Sequence, residues 1–147
     1  VVIMVGPILI FQYTGNITTE MTYSVELSGK GLHFNIVIII LLKAIIQTSL
    51  SEEILFRGFI GKRVAKKFGY LPGNLVQGIL FGLPHGLPFM LVFHEYIVGF
   101  VFLITASIVG CLQFYLNEKK ADGSIIPSFI IHGVMNLLSF TSKAVSL

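Results

Sequence analysis

The stretch FNIVIIILLKAIIQTSLSEEILFRGFIGKRVAKK, Phe34 to Lys67, decides how the rest of the chain is read. Its first half, Phe34–Leu50, is nearly all Ile, Leu and Val, with no Pro or Gly to interrupt a helix. A bilayer-crossing helix needs about 20 mostly apolar residues, and here the helical pattern continues through Ser51-Glu52-Glu53 to Phe56-Arg57. Gly58 and Gly61 then loosen it, and Lys62-Arg63-Val64-Ala65-Lys66-Lys67 leaves the membrane. Two adjacent carboxylates inside such a span need explaining, because ionisable groups in hydrocarbon are costly and are usually kept for function.

The bulk composition agrees with a lipid setting. Of 147 residues, 54% are hydrophobic and 12% charged, with mean hydropathy +0.88. Soluble domains carry about 25% charged residues. The net charge of +3 is small and its basic residues fall at loop positions, so nothing points to nucleic acid. Cys111, the single cysteine, lies in an apolar run, which excludes disulfides and cysteine-rich metal sites and leaves it a packing role.

Four further apolar segments flank the first. Val1–Tyr13 is too short to span and reads as the remnant of a span. It has no initiator Met and no basic leader, so it is not a signal peptide. Thr14–His33, with Glu20, Glu26 and Lys30, reads as a loop. Pro72-Gly73 marks a break, followed by spans at Asn74–Phe93, Tyr96–Leu116 and Ile125–Phe140, with Gly99 and Gly110 available for close helix contacts. Asp122-Gly123-Ser124 makes a tight turn, with Ser124 as cap of the last span. Lys62, Arg63, Lys66, Lys67, Lys119 and Lys120 then share one side, against Lys30 and Lys143 on the other, and six against two marks the first side as cytoplasmic. The expectation is an all-α, polytopic transmembrane helical bundle in the cell membrane, multi-pass, with the lipid bilayer as its partner and an intramembrane polar active site.

Polar groups enter the spans at three places. Glu53 and Arg57 are four apart and share a helix face, so they can pair. Glu52 lies about 100° further round and cannot use the same partner equally. Phe81-Gly-Leu-Pro-His85 places an imidazole after two helix-loosening residues. His132-Gly-Val-Met-Asn136 puts an imidazole and an amide on one face. Each has a bland counterpart: a structural ion pair, a hydrogen-bonded core histidine, interhelical glue. Counting about 1.5 Å per residue from the cytoplasmic ends brings Glu52, His85 and His132 to comparable depth, where with Asn136 they face one polar cavity. Lys43 and Gln47 line that cavity or snorkel, while His33, His94 and Glu95 sit at the outer boundary.

Such groups suit amide hydrolysis. A desolvated glutamate is a good general base toward water, a histidine can share or relay the proton, and His and Asn donors can hold an oxyanion. Glu52, His85 and His132 could alternatively hold zinc with an open position for water. Their placement on different helices, without HExxH spacing, argues against that, and a metal-free mechanism is equally open.

Glu-Glu-x-x-x-Arg at Glu52–Arg57, Phe-x-x-x-His at Phe81–His85 and His-x-x-x-Asn at His132–Asn136, in this order and each in an apolar span, resemble the CAAX protease and bacteriocin-processing (CPBP, or Abi) family. The Gly123-Ser124-Ile125 lead-in is similar as well. The resemblance implies that residues 1–147 are a single membrane-embedded protease domain, and the apolar run that starts at residue 1 is expected to be cut, making the chain a fragment lacking N-terminal helices. It implies an intramembrane endopeptidase acting on a membrane-associated peptide or protein. Glu52 and His85 would activate water, His132 and Asn136 would hold the oxyanion, and Glu53 with Arg57 would support them. In eukaryotic members the reaction removes the last three residues of a prenylated CAAX protein, while bacterial relatives are linked to self-immunity or peptide maturation. The rival expectation is a non-enzymatic membrane protein, a bacteriocin self-immunity factor or transporter component, that uses the same cavity.

Overall fold

The computed structural model describes residues 2–18, 21 and 25–145. Glu20, assigned above to a loop, lies outside the described residues. The described secondary structure is all helical: α1 (Val2–Tyr13), one 3-10 turn (Val25–Leu27), α2 (Phe34–Phe68), α3 (Tyr70–Leu91), α4 (Tyr96–Lys120) and α5 (Ile126–Val145). By length and composition, α2 and α4 can each cross a membrane.

Beside a buried apolar core, several polar side chains are enclosed while large apolar ones face outward. Ser49, Glu53, Arg57, Gln77, Asn117 and Ser128 are fully enclosed, while Ile97 is 76% exposed, Leu138 63% and Phe100 60%. In water this would cost twice, through stranded apolar surface and desolvated polar groups. In hydrocarbon it is the favourable arrangement, with polar groups turned toward one another and apolar ones toward lipid.

Helix α2 is not a uniform α-helix. Leu42–Leu50 and Glu53–Gly61 are wound as wide π turns, one on each side of the Ser51-Glu52 step. Hydroxyls reach back five residues in the first of them: Thr48 Oγ1 donates to Lys43 O at 2.9 Å and Ser49 Oγ to Ala44 O at 2.6 Å. Widened turns of this kind occur frequently at functional sites. Glu53 and Arg57 still meet across the second wide segment.

The sequence places some boundaries wrongly. The chain breaks at Gly69, whose φ of 96° favours glycine, and not at Pro72-Gly73. Pro72 sits in the first turn of α3, where a missing N–H costs nothing. α3 then runs through Pro84 and Pro88 without ending. α4 continues past Leu116 to Lys120, and α5 past Phe140 to Val145. The expected turn does form at Asp122 and Gly123, with φ of 48° and 79°. Ser124 Oγ accepts the Ile126 amide at 3.3 Å, as the cap assignment requires.

α3 and α4 are the most intimate pair. Gly78, Gly82 and Gly86 lie one turn apart on α3, and their backbones rest against Ser107, Leu103 and Gly99 of α4. Phe11 of α1 and Phe89 of α3 both meet the Phe102 ring, the latter stacked at 4.9 Å. At one end the two basic loops come together: Lys62 Nζ donates to Gly123 O at 2.5 Å, and Lys119 Nζ sits 4.4 Å over the Tyr70 ring. At the other end Leu27 is buried among Ile40, Ala44, Phe140 and Ala144. There the Lys43–Glu26 pair (2.5 Å) ties the loop to α2, and the Gly29 and Gly31 amides donate to the Lys143 and Ala144 carbonyls of α5. Lys43 therefore ends on Glu26, outside the polar interior.

Candidate active site

Glu53 is enclosed on every side. Its Oε2 accepts the Ser128 hydroxyl at 2.5 Å and lies 3.5 Å from Arg57 Nε, and its Oε1 meets His132 Nδ1 at 3.1 Å. The ion pair expected from the i, i+4 spacing is present, and neither side chain is exposed. Arg57 donates through Nη2 to Gln113 Oε1, and its Cζ lies over the Phe81 ring, 3.9 Å from the centroid. A buried guanidinium thus has a carboxylate, an amide oxygen and a π face around it.

Glu52 is placed differently. It is partly exposed, yet its Oε2 is buried and has no hydrogen-bond donor on it. That oxygen lies 3.8 Å from His132 Nε2. His132 therefore stands between two adjacent glutamates of α2, one at each ring nitrogen. The wide turns on both sides of Glu52 accompany this arrangement, in which consecutive side chains address one ring from α2.

His85 Nδ1 donates to Phe81 O at 2.8 Å. A carbonyl can only accept, so the neutral ring carries its proton on Nδ1 and leaves the Nε2 lone pair free. The Phe81 ring joins the two imidazoles, 4.6 Å from His85 and 5.9 Å edge-on from His132. Asn136, one turn beyond His132 on α5, sends its amide hydrogens to Thr48 Oγ1 at 2.8 Å and Ser49 Oγ at 3.0 Å. Both acceptors belong to the first wide segment of α2.

Glu52, His85 and His132 do not fit a metal centre. Among the described residues no three of His, Cys, Asp and Glu gather into a ligand set. Both imidazoles have Nδ1 engaged, His132 with Glu53 and His85 with a backbone carbonyl, which leaves Nε2 as the only nitrogen either ring could offer an ion. A cleft of about 410 Å³ lies elsewhere, bordered by Phe11, Asn16, His94 and Glu95.

Sequence reasoning passed over Ser128, Asn117, Gln113, Thr48 and Ser49, which supply most of the partners of the motif residues. A signal was there: Ser128, His132 and Asn136 are spaced by four along α5, and Gln113 and Asn117 likewise along α4. Polar side chains in register on an apolar helix mark its inward face.

A family model described as type II CAAX prenyl endopeptidase Rce1-like matches residues 33–138, a range that takes in all three motifs. No curated protein and no solved structure matches the chain.

Proposed function

The chain belongs to the Rce1-like family of type II CAAX prenyl endopeptidases, and from that membership we propose that it is a multi-pass intramembrane protease using Glu52 as its general base. The family is a membrane-embedded protease family. The observation that carries the assignment is the contrast between the two glutamates. Glu53 has its oxygens occupied by Ser128, His132 and Arg57. Glu52 has a buried oxygen with no donor and an imidazole 3.8 Å away.

In the proposed reaction Glu52 and the free Nε2 of His85 hold the attacking water. Glu52 takes a proton as the oxygen adds to the peptide carbonyl. His132, backed by Glu53, carries a proton on each ring nitrogen and donates Nε2–H to the oxyanion. Asn136 joins the oxyanion site by exchanging one of its two hydroxyl partners for the substrate oxygen. When the intermediate collapses, Glu52 returns its proton to the departing amine and leaves a carboxylic acid, whose proton then passes to the amine, so a carboxylate and an ammonium result. The substrate is a membrane-associated peptide or protein whose C-terminal segment reaches this level of the bilayer.

The test is cleavage of a quenched, farnesylated CAAX peptide, and its unprenylated counterpart, by protein in lipid vesicles. Glu52→Gln preserves shape and removes the base, so turnover falls by at least the roughly 10²–10⁴-fold typical of a positioned general base while the protein stays folded. Near-full activity in Glu52→Gln, or a more severe rate loss in Glu53→Gln, refutes the assignment.

A further inference from the structure

One buried chain of hydrogen bonds reaches two motif residues, Glu53 and His132, from two side chains, Asn117 and Ser128, that belong to none of the three motifs. Asn117 on α4 donates its amide to Ser128 Oγ on α5 at 2.7 Å and accepts the Ser128 backbone amide at 3.3 Å. Ser128 passes its hydroxyl hydrogen to Glu53 Oε2 at 2.5 Å. Glu53 Oε1 in turn takes His132 Nδ1–H at 3.1 Å. Asn117, Ser128 and Glu53 are all fully enclosed, so no water competes for these groups.

We propose that Ser128, held by Asn117, is a positioning residue that fixes the Glu53 carboxylate so that its other oxygen orients the His132 ring. A carboxylate on a rotatable stem has no preferred plane of its own. The Ser128 hydroxyl and Arg57 Nε meet at one oxygen and leave the second aimed at Nδ1. That holds the Nδ1 proton of His132 on Glu53 and turns Nε2 toward Glu52. Two-point contact with Asn117 keeps the Ser128 hydroxyl from rotating fully to its local alternative, Ile125 O at 3.1 Å. Three helices, α2, α4 and α5, thereby set one imidazole.

The inference rests on the protease reading, so its test carries a readout independent of cleavage. In ring-¹⁵N-labelled protein, wild-type His132 shows Nδ1 protonated and hydrogen-bonded. Ser128→Ala loses that signature, and Ser128→Thr, which keeps the hydroxyl, restores it. In the peptidase assay Ser128→Ala lowers kcat about tenfold to a hundredfold, the factor matching one hydrogen bond to a charged group, with KM within about twofold and rescue by threonine. Asn117→Ala acts through Ser128 and gives the same pattern at smaller amplitude, which keeps the test available should Ser128→Ala fold poorly. An unchanged His132 signature in both alanine variants overturns the inference, as does a kcat loss that threonine does not rescue. Failure of the wild type to cleave any peptide refutes the protease reading instead, and the ring signature still decides whether Ser128 orients His132.

Discussion

Arg57→Ala is the substitution whose cost the structure defines most fully. Arg57 is completely enclosed, 3.5 Å from Glu53 Oε2, bonded to Gln113 and placed over the Phe81 ring. Removing one member of a buried pair strands the other, a loss of about 3–5 kcal/mol. The bond to Gln113 belongs to the class worth about 1.5–3 kcal/mol, and the contact with Phe81 to one worth about 0.5–2 kcal/mol. These contributions overlap in one cluster and do not add. The expected destabilisation is therefore about 3–5 kcal/mol, dominated by the stranded Glu53. Neutralising Glu53 first removes that dominant part, so Arg57→Ala should cost at least about 1.5 kcal/mol less in a Glu53→Gln background. Reversible unfolding in mixed micelles, followed by far-ultraviolet circular dichroism, measures all four corners of the cycle. Arg57→Ala within about 1 kcal/mol of wild type, or a cycle with no coupling, would refute the pairing as the source of stability.

The α3–α4 seam makes a second prediction: a methyl group at Gly82 lands on the Ser107 side chain and the Leu103 carbonyl, so Gly82→Ala should lose about 1–3 kcal/mol, whereas at Gly58 the nearest atom is 3.7 Å away and alanine should be tolerated. The same micelle unfolding compares them, and equal stability of the two variants would count against the seam. For topology, cysteines introduced at Lys66 and Lys119 should label from the same, cytoplasmic side, because their loops meet at one end of the helices; labelling from opposite sides would overturn the arrangement. At the other end, the hydrogen bond from Lys43 holds the Glu26 carboxyl below its ordinary value of 4.5. A lowered acid stabilises above its unfolded value and loses that contribution as pH falls, so the loop contact should be intact at neutral pH and weaken below the ordinary carboxylate range. Exchange protection of the Gly29 and Gly31 amides, corrected for intrinsic rate, should fall there, and a flat profile would contradict it.

What could be read from the sequence was whatever depends on local spacing. The run from Phe34 fixed a long apolar helix, and the i, i+4 step from Glu53 to Arg57 gave the pair that forms. The basic residues at 62–67 and 119–120 gave the end at which the loops meet. Boundaries failed where one residue type serves two purposes. Pro72 breaks a helix interior but fits a first turn, whereas the span read through Pro84 and Pro88 is helical as expected. The wide turns of α2 carry no compositional mark, since Ile, Leu and Ser serve α and π winding alike. Partners across helices, such as Ser128 on Glu53 or Thr48 on Asn136, depend on helix rotation and registry, which no single stretch of chain encodes.

The glycine seam also has a mechanical consequence. Where side chains separate two helices, one can slide past the other by switching rotamers. Where backbone meets backbone, as at Gly78, Gly82 and Gly86, no compliant layer remains to shear. α3 and α4 therefore travel as one stiff plate that carries His85 and Asn117. Against it, α2 and α5 are joined by hydroxyl and amide bonds at Thr48, Ser49 and Asn136 and by the enclosed bonds of Ser128 and His132 to Glu53. In the proposed protease, any motion that admits substrate must therefore fall outside the α3–α4 seam, with the plate moving as one body.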